Sequence, residues 1–557
     1  MHIQLLTRLL LFCLVFTNTA FAGTTWTPSF NISLSEESPV TNPQVGIDPK
    51  GNAVAVWEGN DGIDAATFQA GGSWTSPVNI SAVGHRPQVS VDASGNAIAI
   101  WSGWSGPNAS NQMSAILAAT LPFGGTWSEP VVVSSPTGCT PFDPQIAIDS
   151  QGNAVAVWQQ PTTASHYDIY ASTLPFGLSW TTPFIISDGE SDAQVPQIVV
   201  DASGNAVAIW HGYESGFRII QAATLPFGGT WEPLISLSAI GQNAFNPHFA
   251  INSKGYAVAV WTRFNGSNYI VQASTRSFGG SWSEPSDVST TGRDAGFGPN
   301  STLDVTVDDN GNAVVVWGFQ TGSGYIVQEA SLPFGRLWTA PISLSTIRAD
   351  YVSAHVKATP DGKIMAVWDF FNLDTSQYYL TYATLQSGSN WSSPTNLIVS
   401  SEGNISLSQI ALNSSNDAFV VWSYSDLSSG SNSFIQGMIY YTPPAPPSTT
   451  PPSELPSVLG IQSPTNFNGK QFKTGFITQT EYFNVLTWAP PSGPVKPVGY
   501  RLYRNDLTNM IATIPAGSKL KYEDHNRTKK ISYTYFLVAV DANGNASAPV
   551  SVNVAPL

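Results

Sequence analysis

From residue 41 onward, apolar and polar positions alternate with a period of two. Ala154-Val155-Ala156-Val157-Trp158 is the clearest stretch, and Ala206-Val207-Ala208-Ile209-Trp210 and Ala257-Val258-Ala259-Val260-Trp261 repeat it. A period of two sends successive side chains to opposite faces of a strand, whereas a helix needs 3.6. Glycine and proline punctuate every unit, which argues further against helix. The unit recurs eight times between Gly23 and Tyr441. Its last tryptophan falls at Trp57, Trp101, Trp158, Trp210, Trp261, Trp317, Trp368 and Trp422. That spacing, roughly 50 residues, is in the range of propellers and solenoids.

Each unit predicts four strands. The first ends at an acid or its substitute, as in Pro144-Gln145-Ile146-Ala147-Ile148-Asp149. The second is the Ala/Val run. Between them, Asp-x-x-Gly-Asn supplies a tight hairpin, with Asp accepting backbone hydrogen bonds and Gly taking positive φ. The third is an apolar run such as Ile169-Tyr170-Ala171-Ser172. The fourth is expected to start at a second tryptophan, as in Trp180-Thr181-Thr182-Pro183-Phe184-Ile185-Ile186. This second series runs Trp26, Trp74, Trp127, Trp180, Trp231, Trp282, Trp338 and Trp391. Trp26 precedes the first full unit, and the last unit lacks a fourth strand. The segment Trp26–Ser33 is therefore expected to pair with the final unit and close a ring, hiding an otherwise open edge. A four-stranded unit cannot bury both its faces alone, and stacking units around an axis does so. The predicted fold is all-β: an eight-bladed β-propeller of four-stranded blades over 23–441, closed by its N-terminal strand.

Two further segments flank this body. Arg8, the apolar run Leu9–Phe16 and the small-x-small triplet Ala20-Phe21-Ala22 read as a signal peptide over 1–22. The run is too short to span a bilayer. Residues 442–456, rich in proline, read as a semi-rigid polyproline linker. Cys139 is the only cysteine beyond the signal, so no intrachain disulfide is expected and stability must come from packing.

Charge narrows the function. The chain carries −15 overall, and residues 23–441 hold 11 Lys and Arg against 31 Asp and Glu. An acidic body repels phosphate backbones and anionic lipid, so neither nucleic acid nor membrane insertion is expected as a partner.

The links before the fourth strands, Thr173-Leu174-Pro175-Phe176-Gly177-Leu178-Ser179-Trp180 and Thr224-Leu225-Pro226-Phe227-Gly228-Gly229-Thr230-Trp231, resemble the Asp-box turn of sialidase-like (BNR) propellers. Thr/Ser, Gly and Trp keep their spacing, but Pro175 and Pro226 stand where that family has Asp. The resemblance implies the fold and a structural turn rather than an activity. Residues 457–557 resemble a fibronectin type III domain through Leu486-Thr487-Trp488, Tyr500-Arg501-Leu502-Tyr503 and Tyr533-Thr534-Tyr535. That resemblance implies a β-sandwich with Trp488 in its core and a tyrosine corner at Tyr533.

In an antiparallel blade, links 1–2 and 3–4 share one end and links 2–3 and 4-to-next share the other. The first set is stereotyped here and the second varies, and variable loops on a rigid scaffold carry function. Trp104, His166, Tyr167, His211, Tyr213, Arg218, Arg263 and Phe371 fall at the variable end and are the candidate ligand-binding residues. Aromatics interleaved with arginine suit glycans, with rings stacking on sugar faces and polar groups reading hydroxyls. No catalytic set, metal site or cofactor motif is assigned. Sialidase-like catalysis needs an arginine cluster and a Tyr/Glu pair, and the early Arg-Ile-Pro motif of that family is absent. The preferred reading is a secreted, monomeric binding or adhesion protein for an extracellular glycan or protein. A glycan-cleaving hydrolase or lyase and a purely structural extracellular protein are the alternatives.

Overall fold

A computed structural model describes residues 25–34, 39–105, 113–135, 140–163, 166–277, 279–298, 301–386, 389–427, 432–441, 462–475, 480–493, 495–505, 510–525, 527–541 and 546–557. The signal segment 1–22, the linker 442–456 and Cys139 lie outside the described residues. The chain divides into two compact units, Met1–Pro446 and Pro447–Leu557.

Among the described residues every regular element is a β-strand. The first unit is a series of mostly four-stranded antiparallel sheets, an arrangement compatible with a β-propeller. Repeat 3 is representative. Its strands Phe142–Ile148, Ala154–Thr163, His166–Leu174 and Phe184–Ile185 lie in sequence order. The alternation predicted for the second strand places Trp158 at zero exposure against Ile98, Ile100 and Ile116 of repeat 2. The other face of the same sheet, Val155, Val157 and Ile169, packs against Trp210 of repeat 4. Each repeat thus buries its tryptophan on the preceding sheet, and no sheet could hold that core alone.

The fourth strands are shorter than the sequence predicts. In five repeats they hold two residues, as at Val131–Val132 and Phe184–Ile185, and they begin after the second tryptophan rather than at it. Proline sets the late start but not the length, since Pro77 and Pro394 precede fourth strands of four and six residues. Pro130, Pro183, Pro233, Pro285 and Pro341 each follow that tryptophan within three residues and have no N–H for the ladder.

The N-terminal segment pairs with the last repeat. Thr25–Trp26 runs antiparallel to Tyr440–Tyr441, and Phe30–Asn31 to Gln436–Gly437, on the edge of strand Ser433–Tyr441. The first strands of the eight repeats are Thr41–Ile47, His85–Val91, Phe142–Ile148, Gln194–Val200, Ala244–Ile251, Leu303–Val307, Ala349–Ala358 and Gly403–Leu412. Each lies against the next in that order, and Gly403–Leu412 lies against Thr41–Ile47. The sheets of repeats 6 and 7 are also joined, through Tyr325 and Ala349.

The second unit holds a three-stranded sheet (Thr465–Gly475, Thr480–Ala489, Lys521–Asp524) and a four-stranded one (Met510–Pro515, Gly499–Arg504, Tyr533–Val540, Val550–Val554). Trp488, Tyr500, Leu502, Tyr535 and Leu537 form its core, with Trp488 edge-on to Tyr500 at 5.6 Å. The Tyr533 hydroxyl accepts a hydrogen bond from the Thr528 amide at 3.1 Å.

Candidate functional site

At the stereotyped end of the first unit the polar residues are occupied by the turns themselves. Asp149 Oδ1 accepts the amides of Gln151 and Asn153, each at 2.8 Å, and its Oδ2 accepts Asn153 Nδ2 at 2.8 Å. Asn153 Oδ1 then accepts the Phe176 amide at 2.9 Å, so the 1–2 hairpin holds the 3–4 turn of its own sheet. The same pair of links recurs at Asp92–Asn96–Phe123, Asp201–Asn205–Phe227 and Asp308–Asn312–Phe334. This explains both the recurrent Asn and the turn's lack of its own acid: the acceptor arrives from the neighbouring hairpin.

The opposite end is built differently. In seven repeats the first strand is irregular near its start, and in six of them a non-glycine residue there has positive φ: Asn42, Arg86, Asp143, Val195, Asn246 and Leu407. Val195, at φ 55°, is β-branched and so carries real strain. Bulges of this kind re-aim side chains at the rim of a sheet. The residue that follows the repeat tryptophan secures the bulge of the next repeat. Glu58 accepts the Arg86 amide, Gln159 Oε1 accepts the Val195 amide at 2.7 Å, and Asp369 Oδ1 accepts the Ser408 amide at 3.1 Å and its hydroxyl. The variable loops therefore spring from a rim stitched repeat to repeat.

Asp369 is buried, with Tyr351 and His355 beside it, and burial pushes its carboxyl up to about 6 even though Ser408 stabilises the anion. A raised carboxyl binds its proton more tightly folded than unfolded. Its contribution to stability is fully present below about pH 4 and is lost as pH climbs through 6. Asp369→Asn keeps the acceptor and removes the charge. We expect the variant's melting temperature to gain on the wild type between pH 4 and 6 and the difference to level off above pH 7. A pH-independent difference would rule this account out.

The structure distributes the eight candidates over several repeats. Trp104 is 44% exposed in repeat 2, in a groove of about 580 Å³ beside Asn79–Ala82 and Glu129–Val132. In repeat 3, His166 Nε2 lies 3.3 Å from Asp168, and Tyr167 packs edge-on to Phe142 at 5.5 Å. Phe371, in repeat 7, packs on Tyr378 at 4.8 Å. Arg263, in repeat 5, donates from Nε to Gln242 Oε1.

Three candidates of repeat 4 do come together. Tyr213 and Arg218 face each other across the 2–3 hairpin. Arg218 Nε donates to the Tyr213 hydroxyl at 2.6 Å, and its guanidinium lies 5.3 Å from both the Tyr213 and the Phe245 ring centres. No partner holds its terminal nitrogens among the described residues. His211 is buried below, and burial first, then Arg218, pushes its imidazole down to about 4, so it is neutral at physiological pH. Phe245 continues into an aromatic platform. Phe297 stacks on Tyr269 at 3.4 Å, with Phe245 at 5.3 Å from Phe297 and Phe264 at 5.2 Å from Tyr269. Tyr269 and Phe297 are not evident as partners in the sequence: Tyr269 faces Phe264 across the 2–3 hairpin of repeat 5, and Phe297 reaches it from the link that follows that repeat's fourth strand. Of the other loop arginines, Arg86 is paired with Asp143 and Arg348 with Asp374. Glu214, beside Tyr213 in sequence, accepts from Ser236.

No protein-family model matches the chain, and no curated protein matches it in sequence. Solved structures similar to it include an ulvan lyase, a polysaccharide lyase bound to an oligosaccharide, at 13% identity and TM-score 0.43, over 61% of this chain and 93% of that one. A leech intramolecular trans-sialidase is similar at 10% identity and TM-score 0.35, over 75% of this chain and 94% of that one. An α-L-arabinofuranosidase of Fusarium graminearum is similar at 12% identity and TM-score 0.32, over 53% and 91%. Likeness at this level assigns neither substrate nor side-chain role.

Proposed function

We propose that the chain is an exported glycan-binding protein, with a sialidase-like, eight-bladed propeller closed by its N-terminal strands and a fibronectin type III-like domain beyond the linker. The single observation carrying the function is Arg218, its guanidinium 5.3 Å from the ring centres of both Tyr213 and Phe245 and its terminal nitrogens without a partner among the described residues. A guanidinium pre-positioned by two rings and one hydroxyl presents a flat pair of donors at little entropic cost. A carboxylate or sulfate on a sugar fits that pair, and the platform of Phe245, Tyr269 and Phe297 offers ring faces for the sugar itself. The acidic body around it disfavours nucleic acid, and export accounts for the signal-like N-terminus. The domain after the linker serves as a spacer.

A glycan array followed by calorimetry on the best binder tests this. Arg218→Ala is expected to weaken binding at least tenfold, and Tyr213→Phe several-fold, with melting temperatures close to wild type. Equal binding by Arg218→Ala would remove the site. Capture of a protein but no glycan would redirect the reading to a protein partner. Turnover of fluorogenic glycosides would favour the hydrolase or lyase alternative.

A further inference from the structure

A charge stands in the groove between repeats 4 and 5 at a position where the other repeats place none. In every repeat the residue four before the repeat tryptophan pairs with a residue near the end of the third strand. Seven repeats hold a large apolar side chain there: Leu121, Leu174, Leu225, Leu332 and Leu385, with Phe68 and Tyr440 in the remaining two. Repeat 5 holds Arg276. Three grooves between other adjacent repeats are each lined by two of these apolar residues. Closing the joint between sheets therefore does not call for a cation. A break in a repeated rule with no gain for the fold points to function.

Arg276 is 7% exposed, as buried as Leu121, Leu174 and Leu332. Its guanidinium lies 5.4 Å from the Trp282 ring centre, and Nη1 donates to Thr224 Oγ1 of repeat 4 at 2.7 Å. Nε is buried without an acceptor among the described residues. Burial pushes the guanidinium down from the usual arginine value, while Glu232 and Asp201 act to raise it. A buried cation is ordinarily paired, because its removal from water is costly. Among the described residues no carboxylate forms an ion pair with Arg276. Arg276 instead lines a groove of about 380 Å³, a size within the range of small-ligand sites. Ile235, Leu237 and Pro285 give the groove apolar walls, and Glu232 and Glu284 also border it.

We propose that this groove is a binding site for a compact monocarboxylate, anchored by Arg276. The guanidinium is flat and always charged, and the edge formed by Nε and Nη2 matches the two oxygens of a carboxylate. Thr224 and the Trp282 ring hold the fork in place before a ligand arrives, which lowers the cost of ordering it. Glu232 and Glu284, on an acidic body, repel a second negative charge, so dianions and polyanions are disfavoured. The apolar walls accept the body of the ligand. The site is separate from Arg218, which stands at the opposite end of strand Phe217–Leu225 from Thr224. A single carboxylate in so small a groove is expected to bind with a Kd on the order of 1 mM.

Full-length protein carrying Arg218→Ala, which removes the loop site from the readout, is titrated calorimetrically with N-acetylvalinate, glucuronate and sulfate. Saturable binding of either carboxylate, at least tenfold tighter than sulfate, supports the site. The stronger of the two then tells whether an amino-acid-like or a sugar-acid body suits the walls. Adding Arg276→Leu, which installs the residue of five other repeats, is expected to weaken binding at least tenfold and to leave the melting temperature no lower. Arg276→Lys, which keeps the charge and loses the fork, is expected to weaken binding several-fold. No saturable binding of either carboxylate overturns the proposal, as does sulfate binding equally tightly or unchanged affinity in Arg276→Leu. An Arg276→Leu chain that fails to fold, or melts at a lower temperature, also overturns it, because the arginine is then a structural pin between the two sheets.

Discussion

A chain begun at residue 35 is expected to lose the native first unit and to be recovered as soluble oligomers or aggregate. The segment removed contributes far more than two short strands. Thr27 and Ile32 donate amides to the Ile439 and Ile435 carbonyls at 2.8 and 2.7 Å, and Thr27 Oγ1 and Ser33 Oγ accept the amides of those same two residues at 3.0 and 2.9 Å. Ile32 is buried against Trp57 and Val421, and Trp26 lies 5.3 Å from Tyr382 and 5.1 Å from Tyr440. Losing one buried isoleucine and one large aromatic costs on the order of 5 kcal/mol or more. That is comparable with the whole net stability of a typical domain, about 5–15 kcal/mol. The deletion also exposes the edge of Ser433–Tyr441 as a template for another chain. Light scattering after size exclusion, with and without a synthetic 23–34 peptide added in trans, reads the outcome. Partial rescue of the monomer by the peptide is expected. A monomeric truncated chain that melts at the wild-type temperature would mean that closure contributes nothing.

The second large effect is expected at Asp149→Ala. The carboxylate is buried and receives three hydrogen bonds, two from backbone amides that would lose their only charged acceptor. Hydrogen bonds to a charged group contribute about 1.5–3 kcal/mol each, and orphaned buried donors add their own cost. Asn153 then loses the contact that orients it toward the Phe176 amide, so the 3–4 turn loosens as well. A loss of about 3 kcal/mol is expected, read as a lower urea midpoint. Asp149→Asn, which keeps the backbone acceptor and loses the bond to Asn153 Nδ2, is expected to lose about 1 kcal/mol. Equal effects of the two substitutions would place the carboxylate's role elsewhere than in these bonds.

Several features were legible because they are local. The Asp-x-x-Gly-Asn hairpin follows from turn chemistry within five residues, and the burial of all eight repeat tryptophans follows from period two. The pairing of Trp26 with the last repeat was readable from a count of strands. The start of the fourth strands, after rather than at the second tryptophan, is also written in the sequence, because Pro183 has no N–H for the ladder beside Trp180. Among the candidate ligand residues, Tyr213 and Arg218 are readable in the sequence only as an aromatic and a cation. That they touch depends on the tight 2–3 hairpin between them, and that Phe245 covers them depends on the next repeat.

The amino-acid order by itself determined an all-β chain of eight repeated units, the positions of the hairpins and an acidic surface, since each rests on interactions within one strand or turn. Only the tertiary structure decided that Arg218 lies against two rings from neighbouring repeats and that Asp369 is buried beside the bulge of the following repeat. It likewise decided that Asp304 meets His355 and Lys357 of the following repeat. These are relations between neighbouring sheets, and a one-dimensional pattern does not encode which side chains of separate units meet until packing has fixed their distance.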